Sequence, residues 1–336
     1  MRQLVAGGVA VLVTSSLLAG CTSGAQPSDD MQVAPTLAAA EPAVSPPAAK
    51  PAGTVLPLRG KATASAVDAA SRTFAVAVAN PPSVRLYDID DLRAAPKTIK
   101  LPGAVDHLSV ASGGGTLLAP VPSAGAVVTI ALPGGARREI PMQGRPTSAV
   151  SFGDRLLVAL PDRRAVAVVR NGRTIDTITG DLSPEQVLVA GGHAVVLDRL
   201  RSAVFDIEVA DGSFGAGLRA EQGAVNAVVD RFGRVLVTEA RIGQLFAFTA
   251  APMLMRQRFP VPGVPYGIAY DARQDLAWVS VTRRNEVVGY DVAGGEPVQR
   301  KRFATVRQPD SVAVDPRTGR VLVASADGEG IQVIQP

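Results

Sequence analysis

The sequence contains few of the residues on which several protein classes depend. It has one cysteine, two histidines and one tryptophan, and aromatic residues make up only 4% of its 336 positions. A single cysteine excludes an intramolecular disulfide and, beside only two histidines, a zinc site of the usual His and Cys kind. Few aromatics and a formal charge of only +4 disfavour nucleic-acid binding. We therefore expect no zinc, no organic cofactor and no nucleic-acid partner.

The chain also lacks the short motifs of several large enzyme classes. It contains no GxSxG nucleophile elbow, no P-loop, no GxGxxG fingerprint and no HExxH pair. It is instead rich in turn-forming residues, with 33 glycines and 26 prolines, and hydrophobic residues make up 47% of the chain. Short runs of Val, Thr and Ile between turns favour an all-β domain.

The first twenty residues have the layout of an export signal. Arg2 gives a positive start, and residues 4–18 are apolar apart from three hydroxyl residues, a run too short for a stable membrane span. The run ends in Leu18-Ala19-Gly20-Cys21, which resembles the lipobox of bacterial lipoproteins. This resemblance implies cleavage before Cys21 and its acylation with diacylglycerol and palmitate-type chains. The alternative is an ordinary secretory signal with a chance cysteine.

The next segment, residues 21–53, is interpreted as the lipidated cysteine followed by a disordered tether. It is rich in Ala, Pro, Ser and Gly and has few large apolar side chains, so it cannot bury enough surface to offset its ordering entropy. Its six prolines favour an extended chain that reaches at most about 100 Å. We expect the protein to be anchored to the cell membrane on its extracytoplasmic face.

Residues 54–336 contain an internal repeat, which predicts one domain. Each copy is an alternating strand, a turn opened in most copies by an acid such as Asp68, Asp230, Asp271 or Asp315, and a second strand. These acids are interpreted as turn residues whose carboxylates accept bonds from nearby backbone amides. Successive copies are 43, 40, 39, 40, 41 and 44 residues apart. The residues before the turns are Val67, Val110, Val150, Val189, Val229, Tyr270 and Val314.

Seven copies of about 41 residues, each with room for four short strands, predict a seven-bladed β-propeller. The last copy has only three strands, and Thr54-Val-Leu-Pro-Leu-Arg-Gly60 has the pattern of the missing fourth strand. We therefore expect this N-terminal strand to complete the last blade and close the ring, because an open ring would leave an unpaired edge.

The repeats resemble those of the YVTN and NHL-like propeller families over nearly all of residues 54–336. The resemblance is carried by paired strands such as Arg320-Val-Leu-Val-Ala-Ser325 with Gln332-Val-Ile334, and Ala277-Trp-Val-Ser280 with Val287-Val-Gly-Tyr290. The literal Tyr-Val-Thr-Asn signature is absent. The resemblance implies the propeller fold, on which many unrelated activities are found.

Candidate site residues precede the first strand of each copy. Counting three and four residues back from the aligned positions gives two mostly polar rings, which we expect at one mouth of the central channel. Of these residues, Asp106, His107 and Glu185 are weak catalytic candidates, and Asp106, Glu185 and Asp310 offer oxygen ligands for a possible calcium ion. The polar ring members are Asp106, His107, Glu185, Gln186, Asn226, Tyr266 and Asp310.

Seven arginines in the loops between the second and third strands are predicted on the same face. Guanidinium groups suit bidentate recognition of carboxylate or phosphate, so an electropositive arc would fit an anionic glycan or lipid headgroup. The alternative is that arginine is simply the default surface cation, since the chain has 29 arginines and 5 lysines. The seven are Arg163, Arg164, Arg199, Arg201, Arg241, Arg283 and Arg284, and Asn226 and Tyr266 complete the predicted ligand site.

Three functions from different classes stay open on the sequence. The favoured one is a monomeric, non-enzymatic binding or scaffold module for an envelope protein or an anionic ligand. The second is a lactonase-like or other hydrolytic propeller that uses Asp106, His107 and Glu185. The third is a sugar or quinone-linked dehydrogenase, which the single Trp278 and the lack of tryptophan-bearing blade motifs disfavour.

Overall fold

The computed structural model describes residues 38–48 and 50–336. The export signal, Cys21 and the first part of the predicted tether lie outside the described residues. The described chain forms seven antiparallel sheets of four strands each, which confirms the predicted all-β, seven-bladed propeller. No helix in this part of the chain has the length and apolar character needed to cross a membrane.

Each blade takes its four strands in chain order, except the last, which borrows one from the N-terminal side. The strands of blades 1 to 3 are Ala62–Asp68 (β2), Thr73–Val78 (β3), Ser83–Asp88 (β4), Lys97–Lys100 (β5), Ser109–Val110 (β6), Thr116–Val121 (β7), Ala126–Ala131 (β8), Arg137–Pro141 (β9), Ser148–Phe152 (β10), Arg155–Leu160 (β11), Ala165–Arg170 (β12) and Arg173–Thr179 (β13). Those of blades 4 and 5 are Pro184–Ala190 (β14), His193–Asp198 (β15), Ala203–Glu208 (β16), Ser213–Arg219 (β17), Ala224–Val229 (β18), Arg234–Glu239 (β19), Gln244–Thr249 (β20) and Leu254–Pro260 (β21).

Blades 6 and 7 follow the same plan. Their strands are Pro265–Asp271 (β22), Leu276–Val281 (β23), Glu286–Asp291 (β24), Val298–Ala304 (β25), Ser311–Val314 (β26), Val321–Ala324 (β27), Ile331–Ile334 (β28) and, completing blade 7, Thr54–Leu56 (β1). Three single 3-10 turns join second to third strands, at Pro122–Ala124, Pro161–Arg163 and Thr282–Arg284. The first strands of neighbouring blades contact each other and surround the central channel.

The core lies between the blades, because each sheet packs its faces against its two neighbours. Second strands such as β3 and β23 are buried along their whole length, whereas fourth strands such as β25 are largely exposed at the rim. One apolar cluster joins Phe74 of blade 1 to Leu322 of blade 7, so the first and last blades share a core. Trp278 is fully buried in the core between blades 6 and 7.

The predicted closing strand is present. Residues of β1 pair antiparallel with β28, in the register Thr54 to Val333 and Leu56 to Ile331. Gly53, which leads into this strand, has φ +70°, and a Cβ there would lie 2.2 Å from the carbonyl oxygen of Val333. Only glycine therefore allows the chain to enter the sheet so close to its partner strand.

The repeated aspartates accept hydrogen bonds from backbone amides of their turns, as predicted from the repeat. The carboxylate of Asp68 accepts bonds from the amides of Ala70 and Ser71, and that of Asp230 accepts bonds from Phe232 and Arg234. These aspartates shape the tight turns between first and second strands.

The structure differs from the predicted flexible tether over its last part. Residues 38–48, called the strap from here on, and residues 50–53 lie against the propeller. Ala40 and Ser45 are buried there, and Ala52 donates a backbone bond to Ala304. The physical reason is that side chains of the propeller satisfy the backbone groups of the strap, which compensates for its lack of large apolar residues.

Candidate functional site

The mouth of the central channel opens into a cavity of about 940 Å³. It extends along the first strands from the loops at the mouth, such as that of Asp310, to residues at the far ends of these strands, such as Val67 and Tyr270. The predicted polar ring is brought together here, and the lining residues include Asp106, His107, Glu185, Gln186, Asn226, Tyr266 and Asp310. Because each blade repeats the same geometry, the same sequence offset brings residues of six blades to the cavity, whereas Pro146 and Thr147 of blade 3 do not line it.

Part of this ring joins one blade to the next. The side-chain amide of Asn226 donates to the carbonyl of Tyr266 at 3.2 Å, and that of Gln186 both donates to and accepts from the backbone of Ala227. Thr147 likewise donates to the carbonyl of Glu185 at 2.7 Å. Asn226, predicted to contact a ligand, therefore uses its amide nitrogen to link blade 5 to blade 6.

His107 lies at the mouth without a catalytic partner. Within the described residues its imidazole has no hydrogen bond to Asp106 or to Glu185. Burial, helped by the positive charge of Arg199, lowers the pKa of His107 to about 4. The imidazole is therefore neutral near pH 7.

The acids of the cavity differ in their surroundings. Burial raises the pKa of Asp310 to about 7, and the negative charge of Glu41 adds to this rise, while a hydrogen bond from Gln308 at 2.8 Å opposes it. Burial also raises the pKa of Glu185, against the effect of the Arg199 charge. The pKa of Tyr266 rises to about 12, mainly through burial, so its hydroxyl stays protonated and can donate.

The calcium site considered from the sequence does not form among the described residues. Asp106, Glu185 and Asp310 line the same cavity, but no group of three acids, histidines or cysteines in this part of the chain lies close enough to hold a metal ion.

The predicted arginine arc does not converge on the channel. Of the seven arginines only Arg199 lines the cavity, and its guanidinium donates to the carbonyl of Ala40 at 2.6 Å and lies 3.8 Å from the Glu41 carboxylate. Arg241 donates to the carbonyl of Ala38 at 2.9 Å. These two arginines, predicted to bind an external anion, therefore bind the strap.

The other five arginines do not line the cavity. Arg201 is buried against Asp198 at 3.4 Å and also lies 3.6 Å from Asp181, which pairs with Arg164 at 2.7 Å. The remaining three are exposed, line no part of the cavity and have no carboxylate partner within the described chain: Arg163, Arg283 and Arg284.

The sequence reasoning missed the residues that the strap brings to the site. Glu41 and Pro42 line the cavity, and Gln308 and Thr282 hold the strap in place. Their partners are more than 230 positions away along the chain, so no local pattern could have revealed these contacts. The one available signal was the isolated Glu41 within an otherwise uncharged Ala/Pro-rich stretch.

Comparison with known proteins identifies the architecture. No protein-family model and no curated protein sequence matches the chain. Among solved structures, hydrazine synthase of Kuenenia stuttgartiensis matches with a TM-score of 0.71 and 15% identity, over 86% of this chain and 99% of that one. A streptogramin B lyase matches at 0.70 and 11% identity over 84% and 96%, and the WD40 β-propeller domain of Doa1 at 0.68 and 12% over 85% and 96%. Such distant likenesses establish a seven-bladed propeller and leave the function to the site itself.

Proposed function

We propose that the protein is a lipoprotein of the bacterial cell envelope, anchored through Cys21, whose propeller is a binding module without catalytic activity. The observation that carries the binding role is the cavity at the channel mouth, where polar side chains from several blades face one space of about 940 Å³. This volume suits a small polar molecule or the tip of a partner protein.

The lining favours a ligand with hydrogen-bond donors or a positive charge. Among the described residues, four carboxyl groups and one cation, Arg199, line the cavity; the carboxyl groups are those of Glu41, Asp106, Glu185 and Asp310. Carboxylates accept hydrogen bonds, and a buried carboxyl offers its strongest interaction to an opposite charge. A ligand with donors or a positive charge therefore suits the cavity better than a simple anion does. Examples are amino sugars, polyamines and polyhydroxylated glycans.

A hydrolytic role receives less support. It would need a base within hydrogen-bond reach of the proton that it removes, and the neutral His107 has no carboxylate partner among the residues that the structure describes. The lactonase-like alternative therefore does not account for the arrangement of Asp106, His107 and Glu185.

Ligand binding is tested by thermal unfolding of the full chain carrying Cys21→Ser. Amino sugars, polyamines, neutral glycans, phosphate and Ca²⁺ are added in turn, because a ligand of the folded state at 100 times its Kd stabilises by about 2.7 kcal/mol. We expect a higher Tm with a donor-rich or cationic ligand, and a smaller shift in Glu185→Gln and Tyr266→Phe. Arg173→Gln, on the exposed strand β13, is the matched control. If no compound shifts the Tm, the cavity is not a small-molecule site.

Anchoring is tested separately. The full chain is produced in a bacterial host, and its partition into a detergent phase and the mass of its N-terminal peptide are compared with those of Cys21→Ser. We expect acyl mass on Cys21 and detergent partition in the natural chain only, since several acyl chains hold a protein on a membrane. Equal partition of both forms into water would contradict the anchor and leave the ligand test unaffected.

A further inference from the structure

The strap crosses the mouth-bearing face of blades 4 to 7, and the propeller contacts it mainly through its backbone. At its start the carbonyls of Ala38 and Ala40 accept bonds from Arg241 and Arg199. At its end the carbonyl of Pro46 accepts a bond from Asn285 at 2.8 Å. The strap groove is formed by Arg199, Arg241, Thr282, Asn285, Arg307 and Gln308.

At the centre of the groove, hydrogen bonds satisfy the backbone of the strap, as the bonds of a neighbouring β-strand would. The side-chain amide of Gln308 donates to the carbonyl of Ala43 at 2.9 Å and accepts from the amide of Ser45 at 3.0 Å. The hydroxyl of Thr282 accepts from the amide of Ala43 at 3.1 Å, and the Ser45 hydroxyl donates to the carbonyl of Thr282 at 2.6 Å. Arg307 then donates to the carbonyl of Ser45 at 3.1 Å. Every backbone polar atom of Ala43 and Ser45 is thereby satisfied.

The groove fully buries the side chains at two positions of the strap. Ala40 packs against Val225 and Ala240 and is 4% exposed, and Ser45 is 2% exposed, so larger residues do not fit there. Val44 between them is 84% exposed and imposes no requirement. The strap therefore shows what the groove accepts: an extended segment with small residues five positions apart, set by prolines that lower the entropy of the free chain.

The groove residues are held in place by the propeller itself. Thr282 also donates to the carbonyl of Val264 at 3.1 Å, and Asn285 accepts a bond from the amide of Gln308 at 3.3 Å. Asn285 and Gln308 have φ of 48° and 52°, a left-handed conformation that non-glycine residues adopt only where the surroundings fix it. These bonds within the propeller support the groove residues independently of the strap.

We propose that the strap groove is a peptide-binding site, occupied in cis by residues 38–48, which also accepts in trans an extended, proline-containing segment of a partner protein with small residues at the two buried positions. A tethered segment competes at an effective concentration in the millimolar range, so the partner segment must bind more tightly or arrive when the strap is displaced. Its binding also removes Glu41 from the channel cavity, which couples the groove to the ligand site. The groove itself does not depend on the proposed ligand or anchor.

The test uses the full chain with Cys21→Ser and a fluorescent peptide with the sequence of residues 38–48. Ala43→Pro removes an amide that bonds to Thr282, and Ser45→Lys places a charge at a buried position, so together they open the groove. We expect this double variant to bind the peptide at least ten-fold more tightly than the natural chain, by fluorescence anisotropy. Adding Gln308→Ala should abolish binding, whereas Gln299→Ala on the exposed strand β25 should not change it.

Two results of the binding experiment overturn the proposal: no peptide binding to the opened variant at millimolar concentration, or equal binding with and without Gln308→Ala. Hydrogen exchange on the unmutated strap provides an independent check. The amides of Ala43 and Ser45 should exchange through local opening, well before those of the buried strand β23. Exchange only with global unfolding would show that the groove never empties. Concentration-dependent dimers in sizing chromatography would make a second copy of this chain the occupant, which would contradict a different protein as the partner.

Discussion

At the scale of single residues, Asp310 couples the pH to stability. Because burial and Glu41 raise its pKa to about 7, above the ordinary aspartate value of about 3.9, folding favours the protonated acid. Its contribution to stability is therefore complete below about pH 4 and is lost as the pH rises to about 7. Asp310→Asn keeps an oxygen for Gln308 but cannot ionise. We expect this variant to gain roughly 1–3 kcal/mol relative to the natural chain between pH 5 and pH 8, measured by urea unfolding.

Glu41→Gln provides the control for this prediction. Removing the negative charge takes away one cause of the raised pKa of Asp310, so the pH window of the natural aspartate should move to lower pH. If the stability difference between Asp310→Asn and the natural chain is the same at pH 5 and pH 8, Asp310 does not titrate in the predicted window.

At the residue scale, the sequence predicted which residues reach the cavity but not which contacts they make. The offset from each repeat correctly brought Asp106, Glu185 and Tyr266 to one cavity, because a propeller repeats its geometry in every blade. Residue type alone could not separate a side chain that faces the cavity from one that bonds to the next blade, as Asn226 does. Nor could it show that Arg199 is already engaged by Ala40.

At the scale of elements, the short strand β1 is expected to contribute strongly to the stability of the whole domain. Three residues pair with β28, and the adjoining Leu58 is buried in the core shared by blades 1 and 7. Removing residues 54–60 exposes the edge of β28 and part of that core. We expect a loss of at least about 3 kcal/mol and a tendency to aggregate.

Two other deletions complete this experiment, with the free energy of unfolding as the measurement. Removing residues 22–37, predicted to be a spacer, should change stability by less than about 0.5 kcal/mol. Removing residues 38–48 should cost an intermediate amount, because it leaves Gln308 and Arg199 without their strap partners. Equal effects of all three deletions would contradict the closing role of β1.

The elements also show why the blades were predictable and the strap was not. A strand that packs between two blades must alternate its residues, and seven copies of that pattern at a regular spacing are visible in the sequence. The strap is held by backbone bonds to side chains such as Thr282 and Gln308, and these bonds impose almost no pattern on its own residues. Its Ala/Pro-rich composition therefore resembled that of a free tether.

At the scale of the whole molecule, the ring is closed at two places on the boundary between blades 7 and 1. In the first, β1 pairs with β28 as the outer strand of blade 7, and the chain then continues into β2 of blade 1. At the turns between first and second strands, Arg72 of blade 1 donates to both carboxylate oxygens of Asp315 of blade 7, at 2.7 and 3.0 Å, and also binds Asp90. Asp315 is fully buried, and although burial alone would raise its pKa, the bonds from Arg72 and Thr318 hold that pKa well below the usual range.

Arg72→Ala should therefore weaken the closure of the whole ring. Removing Arg72 leaves the buried carboxylate of Asp315 with only the more distant Arg320, at 3.4 Å, as a charged partner among the described residues, which costs about 2–4 kcal/mol. The matched control is Arg317→Ala, since Arg317 binds Asp90 with both side chains well exposed, where ion pairs contribute about 0–1 kcal/mol. Unfolding in urea at pH 7 measures both variants.

The two closures stabilise the same boundary, so their effects on the free energy of unfolding should be coupled. We expect Arg72→Ala to lower this free energy less once residues 54–60 are deleted. Full additivity would mean that the two contacts act independently.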